Sequence, residues 1–116
     1  MTTQIIPSDQ WSEFMDHFSR EYLDHRVTIQ VFAGQSGPQV VADNLPLQGI
    51  SFDTKGTRPS ALAISAGDES GPHVSHVIEM PLHISSFAQD DGDVSLAVEP
   101  ARGAVTLIHI DGGLHS

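Results

Sequence analysis

Residues 7–32, PSDQWSEFMDHFSREYLDHRVTIQVF, change hydrophobic period once, and that change decides the fold. Trp11, Phe14, Met15, Phe18 and Tyr22 recur at i, i+3, i+4, i+7 and i+11, the spacing of one helical face. Ser8 follows Pro7 and offers a hydroxyl to cap the exposed amides. Asp9 and Glu13 lie near the positive end of the helix dipole and Arg20 near the negative end. The spacing predicts a helix over about residues 8–23, with Trp11, Phe14, Met15 and Phe18 as core residues. After Arg26 the period becomes two. Val27, Ile29 and Val31 alternate with Thr28, Gln30 and Phe32, which is a half-buried strand. The aromatic stripe is thus read as a lid over a sheet or barrel mouth.

Outward from this junction the chain reads as strands and turns. Gly34 to Pro38 is a turn, residues 39–42 are strand, and Asp43-Asn44-Leu45-Pro46 interrupts it. Leu47 to Asp53 resumes, with Pro46 marking an edge or bend and Gly49 a bulge or corner. Lys55 to Pro59 is a loop, Ala61 to Ala66 a strand, and residues 73–87 a long extended segment bent at Pro81. Asp90-Asp91-Gly92-Asp93 reads as a hairpin turn, with Asp91-Gly92 suited to positive φ. Val94–Glu99 and Ala104–Ile110 form a closing hairpin, and residues 111–116 a frayed tail. One helix and about six strands spanning residues 27–110 make an α+β, mostly β fold. The expected form is a small, strongly bent antiparallel sheet or partly open barrel in a single domain, residues 1–116.

Composition narrows the function classes. Fifteen acids face five bases among 116 residues, for a formal charge of −10. Such a chain repels phosphates and anionic lipid, so neither nucleic acid nor membrane is an expected partner. There is no cysteine, hence no disulfide, thiol nucleophile or thiolate metal site. Residues 1–7 lack a basic region and a long apolar run, so no signal peptide is read there and the cytoplasm is the expected location.

Seven histidines raise the question of a metal. In His73-Val74-Ser75-His76-Val77-Ile78-Glu79, His73 and Glu79 share a strand face some ~20 Å apart while His76 points the other way. A site would need several strands, with His73, His76, His83 and His109 as the candidates. His76, between Val74 and Ile78, reads better as a hydrogen-bonded interior histidine, and no metal or other cofactor is expected. Glu13, His17 and Glu21 read as a solvated helix face. Among the bases Arg20, Arg26, Lys55, Arg58 and Arg102, only Lys55 and Arg58 share a loop. No nucleophile elbow, dinucleotide fingerprint or phosphate loop occurs, so the reading is non-enzymatic. Val105, Leu107, Ile108 and Ile110 make the last strand apolar on both faces, which marks it as central or as an interface.

The segment Pro7–Arg20 with its Trp and Phe residues, the strand Val27–Val31 and the run Leu45-Pro46-Leu47-Gln48-Gly49-Ile50 together resemble a bacterial family known as domain of unknown function five-three-three-five. The likeness runs from residue 4 to about residue 110 and implies no activity. A looser likeness in plan to Sm-like proteins rests on Val27–Val31, Leu47–Asp53 and Leu82–Phe87. It would imply a five-stranded bent sheet and RNA binding. Three departures stand against it: the insertion between residues 34 and 46, Leu82 where a base is expected beside His83, and the extra hairpin over 93–110. The function expected is a self-associating or protein-binding module, a homo-oligomer or a partner of another protein. The alternatives are an Sm-like nucleic-acid binder and a small-ligand or metal-binding barrel.

Overall fold

A computed structural model describes residues 2–32, 37–53, 61–68, 71, 73–89 and 92–112. Its elements are β1 (Thr2–Ile6), a short 3-10 turn (Ser8–Gln10), α1 (Trp11–Glu21), β2 (Arg26–Phe32), β3 (Pro38–Asp53), β4 (Ala61–Gly67), β5 (His73–Glu79), β6 (Pro81–Ala88), β7 (Val94–Pro100) and β8 (Val105–Ile110). The strands form one open, bent antiparallel sheet in the order β1-β6-β7-β8-β2-β3-β4-β5. The fold is mostly β with one short helix near its start.

β3 is the hinge of the sheet. Its first part, Pro38–Pro46, pairs with β2, and its second, Leu47–Asp53, pairs with β4. Asp43–Pro46 does not interrupt the strand as the sequence suggests. Asn44 takes a positive φ of 56° that asparagine tolerates, and the strand runs through it. The irregularity is held locally: Asn44 N–H donates to Thr28 Oγ1 at 3.3 Å, and Arg26 donates to the Asn44 carbonyl at 3.1 Å. A register shift between Leu47 and Gly49 then places a bulge at the bend. The strand so folds the small sheet β3-β4-β5 over the large one, and His76 of β5 reaches Thr106 of β8 at 3.4 Å.

The eight strands exceed the six read from sequence for two reasons. Thr2–Ile6, too short to show alternation, pairs with β6. The segment 73–87 divides at Met80, which turns to a φ of 54° just before Pro81 and accepts a hydrogen bond from Ala101 N–H at 2.8 Å. β5 and β6 therefore belong to different parts of the sheet. The count also exceeds the five-stranded Sm-like plan by three.

The core follows the alternation. Val27 and Ile29, Leu62 and Ile64, Leu96 and Val98, and Ile108 and Ile110 are all fully buried. Helix α1 covers the open flank beside the second half of β3. Trp11, Met15 and Phe18 are buried and Phe14 is partly buried. Trp11 meets Phe52 edge-on at 5.3 Å and its indole N–H donates to the Ile6 carbonyl at 2.8 Å. Phe18 stacks with Phe14 at 5.6 Å and leans on Tyr22 at 4.7 Å. Ser8 is no cap of this helix: it opens the 3-10 turn, Gln10 occupies the cap position, and neither turn nor helix has a side-chain cap bond. The Lys55–Pro59 loop, Asp90, Asp91, most of the Gly34 turn and residues 113–116 lie outside the described residues.

Candidate functional site

Two surfaces gather the chain's exposed chemistry. The first is the outer face of the large sheet. Cross-strand registers align Val40, Gln30, Leu107, Ala97, Ser85 and Ile5 in one row across six strands. Above it Pro38, Phe32 and Val105 are neighbours. Below it come Thr28, His109, Ser95, Phe87 and Thr3. The middle and lower rows carry no Asp, Glu, Lys or Arg, whereas the level of the upper row is held on β7 and β6 by exposed Glu99 opposite His83. Ile5 is 73% exposed, Val40 55%, Phe32 39% and Val105 36%. Of the four apolar residues of β8, only Val105 and Leu107 face this side. Ile108 and Ile110 point into the core and are fully buried, because the strand is central and its alternate residues serve opposite faces, so neither offers any interaction surface.

A polar network sits in the lower row. His109 Nε2–H donates to Asp93 Oδ2 at 3.1 Å, leaving Nδ1 to accept from the Ser95 hydroxyl at 3.1 Å. The Asp93 carboxylate also accepts from Gly112 N–H at 2.9 Å. The order serine, histidine, aspartate is that of a hydrolase triad. Here Ser95 is buried in mid-sheet, opposite His109. What the network does is fasten the chain after β8 to the turn before β7. A Cβ added at Gly112 would lie 2.6 Å from the Gly92 carbonyl oxygen, so this close approach of two backbones needs glycine.

The second surface is a hollow of about 580 Å³ between α1 and the small sheet. The bulge at Gln48 and Gly49 opens it, and Ser51, Ala63, Ser65 and Gly67 keep its floor low. Ser19 forms the helix wall. In the second half of β3, Ile50 faces away from β4 and has no neighbouring strand to bond. The Ser19 hydroxyl takes that role, accepting from Ile50 N–H at 2.7 Å and lying 2.7 Å from both the Ile50 and Met15 carbonyls. Asp16 stands beside it, paired with Arg20 at 3.1 Å on the exposed surface. Asp68 and His73 complete the opposite rim.

The four histidines weighed as metal ligands go to separate places. His73 is on the rim of the hollow, His83 is exposed opposite Glu99, His109 is in the outer-face network, and His76 turns inward. Burial holds the His76 imidazole below its ordinary pKa of 6.5. Among the described residues no three His, Asp or Glu side chains converge on a metal position. On the helix, His17 pairs with Glu21 at 3.3 Å as an exposed i, i+4 contact. Sequence reading did not single out Ser19, Gln48, Ser51 or Ser65 as site residues, and it read Asp68, with Glu69, as turn carboxylates without a pocket, whereas Asp68 lines the hollow. The one available signal was the run of small residues at alternate positions of Gly49–Ser51 and Ala61–Ser65.

No helix among the described residues is long and apolar enough to cross a membrane. The fold matches the crystal structure of the Bacillus subtilis YojF protein with a TM-score of 0.58, covering 100% of this chain and 99% of that one at 9% identity. At that identity the likeness concerns fold alone. An uncharacterized protein of Aquifex aeolicus (strain VF5) is 34% identical over 55 residues, which is 47% of this chain and 50% of that protein. The match thus spans half the length of the relative. A family profile, by contrast, matches residues 2–114, nearly the whole sequence. By that match the chain belongs to the Family of unknown function (DUF5335).

Proposed function

We propose that this protein is a non-enzymatic module that self-associates through the outer face of its large sheet. One observation carries the reading: a chain of formal charge −10 keeps the middle row of that face, Val40 to Ile5 across six strands, and the row below it, Thr28 to Thr3, free of charged side chains. Two identical acidic copies repel wherever their acids face each other. They meet at least cost where acids are absent and apolar side chains such as Val40, Leu107, Val105 and Ile5 supply the contact. A two-fold contact, in which one patch meets its own copy, is the commonest way in which identical chains associate.

Magnitude sets the expected strength. Six strands at ~4.8 Å spacing and six residues at ~3.4 Å rise give a face on the order of 500 Å². Stable interfaces use about 800 Å² per partner. The dimer is therefore weak and concentration-dependent. Sedimentation equilibrium across a concentration series tests it. A monomer–dimer equilibrium that Leu107→Lys abolishes, with the circular dichroism spectrum unchanged, is the expected result. A strict monomer at the highest soluble concentration, or a dimer indifferent to Leu107→Lys, overturns the reading.

A further inference from the structure

We infer that the hollow beside α1 is the middle of a trough that binds a linear polyamine, an extended small molecule carrying several ammonium groups. The trough is longer than its central 580 Å³. A hollow of about 510 Å³ adjoins it through Gln48 and Asp68, and another of about 310 Å³ adjoins it through Asp16, Ile50 and Ser51. Their shared linings join the three hollows into one furrow that passes α1 and continues beyond its end to Leu23 and Asp24, a shape that suits an extended ligand over a compact one.

Its chemistry is one-sided. Carboxylates stand along its length: Glu13 and Asp16 at one end, Asp68 in the middle, Asp24 at the other. Among the described residues of the lining, the one Lys or Arg is Arg26, which already donates to the Asn44 carbonyl, and His73 stands on the rim. Asp16 is shared with Arg20. The Asp68 carboxylate and the Ser51 and Ser65 hydroxyls have no side-chain hydrogen-bond partner among the described residues. A chain of ammonium groups separated by short methylene runs answers both features. Ammonium protons donate to the carboxylates and hydroxyls, while the methylenes lie on the low floor of Gly49 and Ala63. The central volume lies within the usual range of small-molecule sites. The overall negative charge raises the local concentration of such a cation.

The trough lies on the small sheet and the helix, apart from the outer face proposed for self-association, and stands independently of it. Spermidine is the probe, titrated at about 150 mM salt, where diffuse attraction is screened beyond ~8 Å. Binding is followed by calorimetry and by amide chemical shifts. Saturable binding with shifts centred on Gln48, Gly49, Ser51 and Ser65 is expected. Exposed ammonium–carboxylate pairs are individually weak, so Asp68→Asn should weaken binding by about 2- to 5-fold and Asp16→Asn with Asp68→Asn by about tenfold. Asp43→Asn and Glu99→Gln, which remove acids outside the trough, leave affinity unchanged, and so does Leu107→Lys. Shifts scattered over all acidic segments, or equal weakening by Asp43→Asn, mean diffuse polyanion attraction and overturn the inference. Absence of saturable binding overturns it as well. So does binding of a lysine-rich peptide in the trough with no binding of spermidine.

Discussion

Ser19 shows how one hydroxyl substitutes for a strand. Antiparallel pairing leaves alternate residues with both backbone groups directed away from the partner. At Ile50 that side has no strand, and Ser19 supplies the contact to both groups. Ser19→Ala leaves a half-buried N–H and C=O unsatisfied, which costs about 1–3 kcal/mol. Chemical denaturation of the variant measures it, and a loss below about 0.5 kcal/mol would mean that water takes over the role. His76 carries a pH signature at the same scale. Its folded pKa lies below 6.5 because burial disfavours the charged ring, so the unfolded chain binds the extra proton first as pH falls. Stability is therefore intact above pH 6.5, declines as pH drops from there to the folded pKa, and is level below it. Glu79 and Arg102 are the Asp, Glu, Lys or Arg residues that line the same recess among the described residues. His76→Gln should flatten this part of the pH profile of thermal unfolding. A profile parallel to the native one across pH 5 to 7 would refute the assignment.

At the scale of elements, the helix is held by its buried face and not by its ends. It has no side-chain cap, and its own length of eleven residues is marginal in isolation. Trp11, Met15 and Phe18 bury against β3 and β1, while Phe14 stays at the margin. Phe18→Ala should cost about 3–5 kcal/mol and Phe14→Ala distinctly less, since part of that ring is already in water. Equal losses would show that the stripe packs more deeply than this arrangement allows. Tyr22, the last member of the stripe, has its phenol pKa raised by burial and then by neighbouring Glu21. The strand elements divide their labour by alternation. β8 gives Thr106, Ile108 and Ile110 to the core and Val105, Leu107 and His109 to the outer face.

For the whole molecule, charge decides what can approach. The five bases are spread thin: Arg20 is paired with Asp16 and Arg26 is engaged with Asn44. Nucleic-acid affinity draws on several phosphate neutralisations made together, and fifteen acids oppose them. Filter binding with mixed single-stranded RNA at about 150 mM salt should show no saturable retention. Micromolar binding would restore the nucleic-acid reading that the Sm-like resemblance implies. The two proposed surfaces would obey the same electrostatics in opposite ways: the charge-free middle of the sheet face would admit another acidic copy, and the acidic trough a cation.

What the sequence determined by itself is periodic. A 3.6-residue rhythm over Trp11–Tyr22 and a two-residue rhythm after Arg26 specify which side chains must leave water, and those patterns are local. Membership of the family was legible too, because Pro7–Arg20 and Leu45–Ile50 are contiguous motifs. The tertiary structure alone decided the rest. Whether Thr2–Ile6 is a strand depends on β6, some eighty residues away, since a five-residue segment has too little alternation to declare itself. Whether β5 and β6 are one strand or two depends on a single left-handed residue, Met80, and on the Ala101 amide that holds its carbonyl. Both candidate surfaces are products of register: the sheet face aligns residues from six strands, and the trough joins α1 to β3 and β4. Neither pairing partner nor register is written within any one segment, because hydrogen bonds between strands are fixed by the packing of the whole sheet.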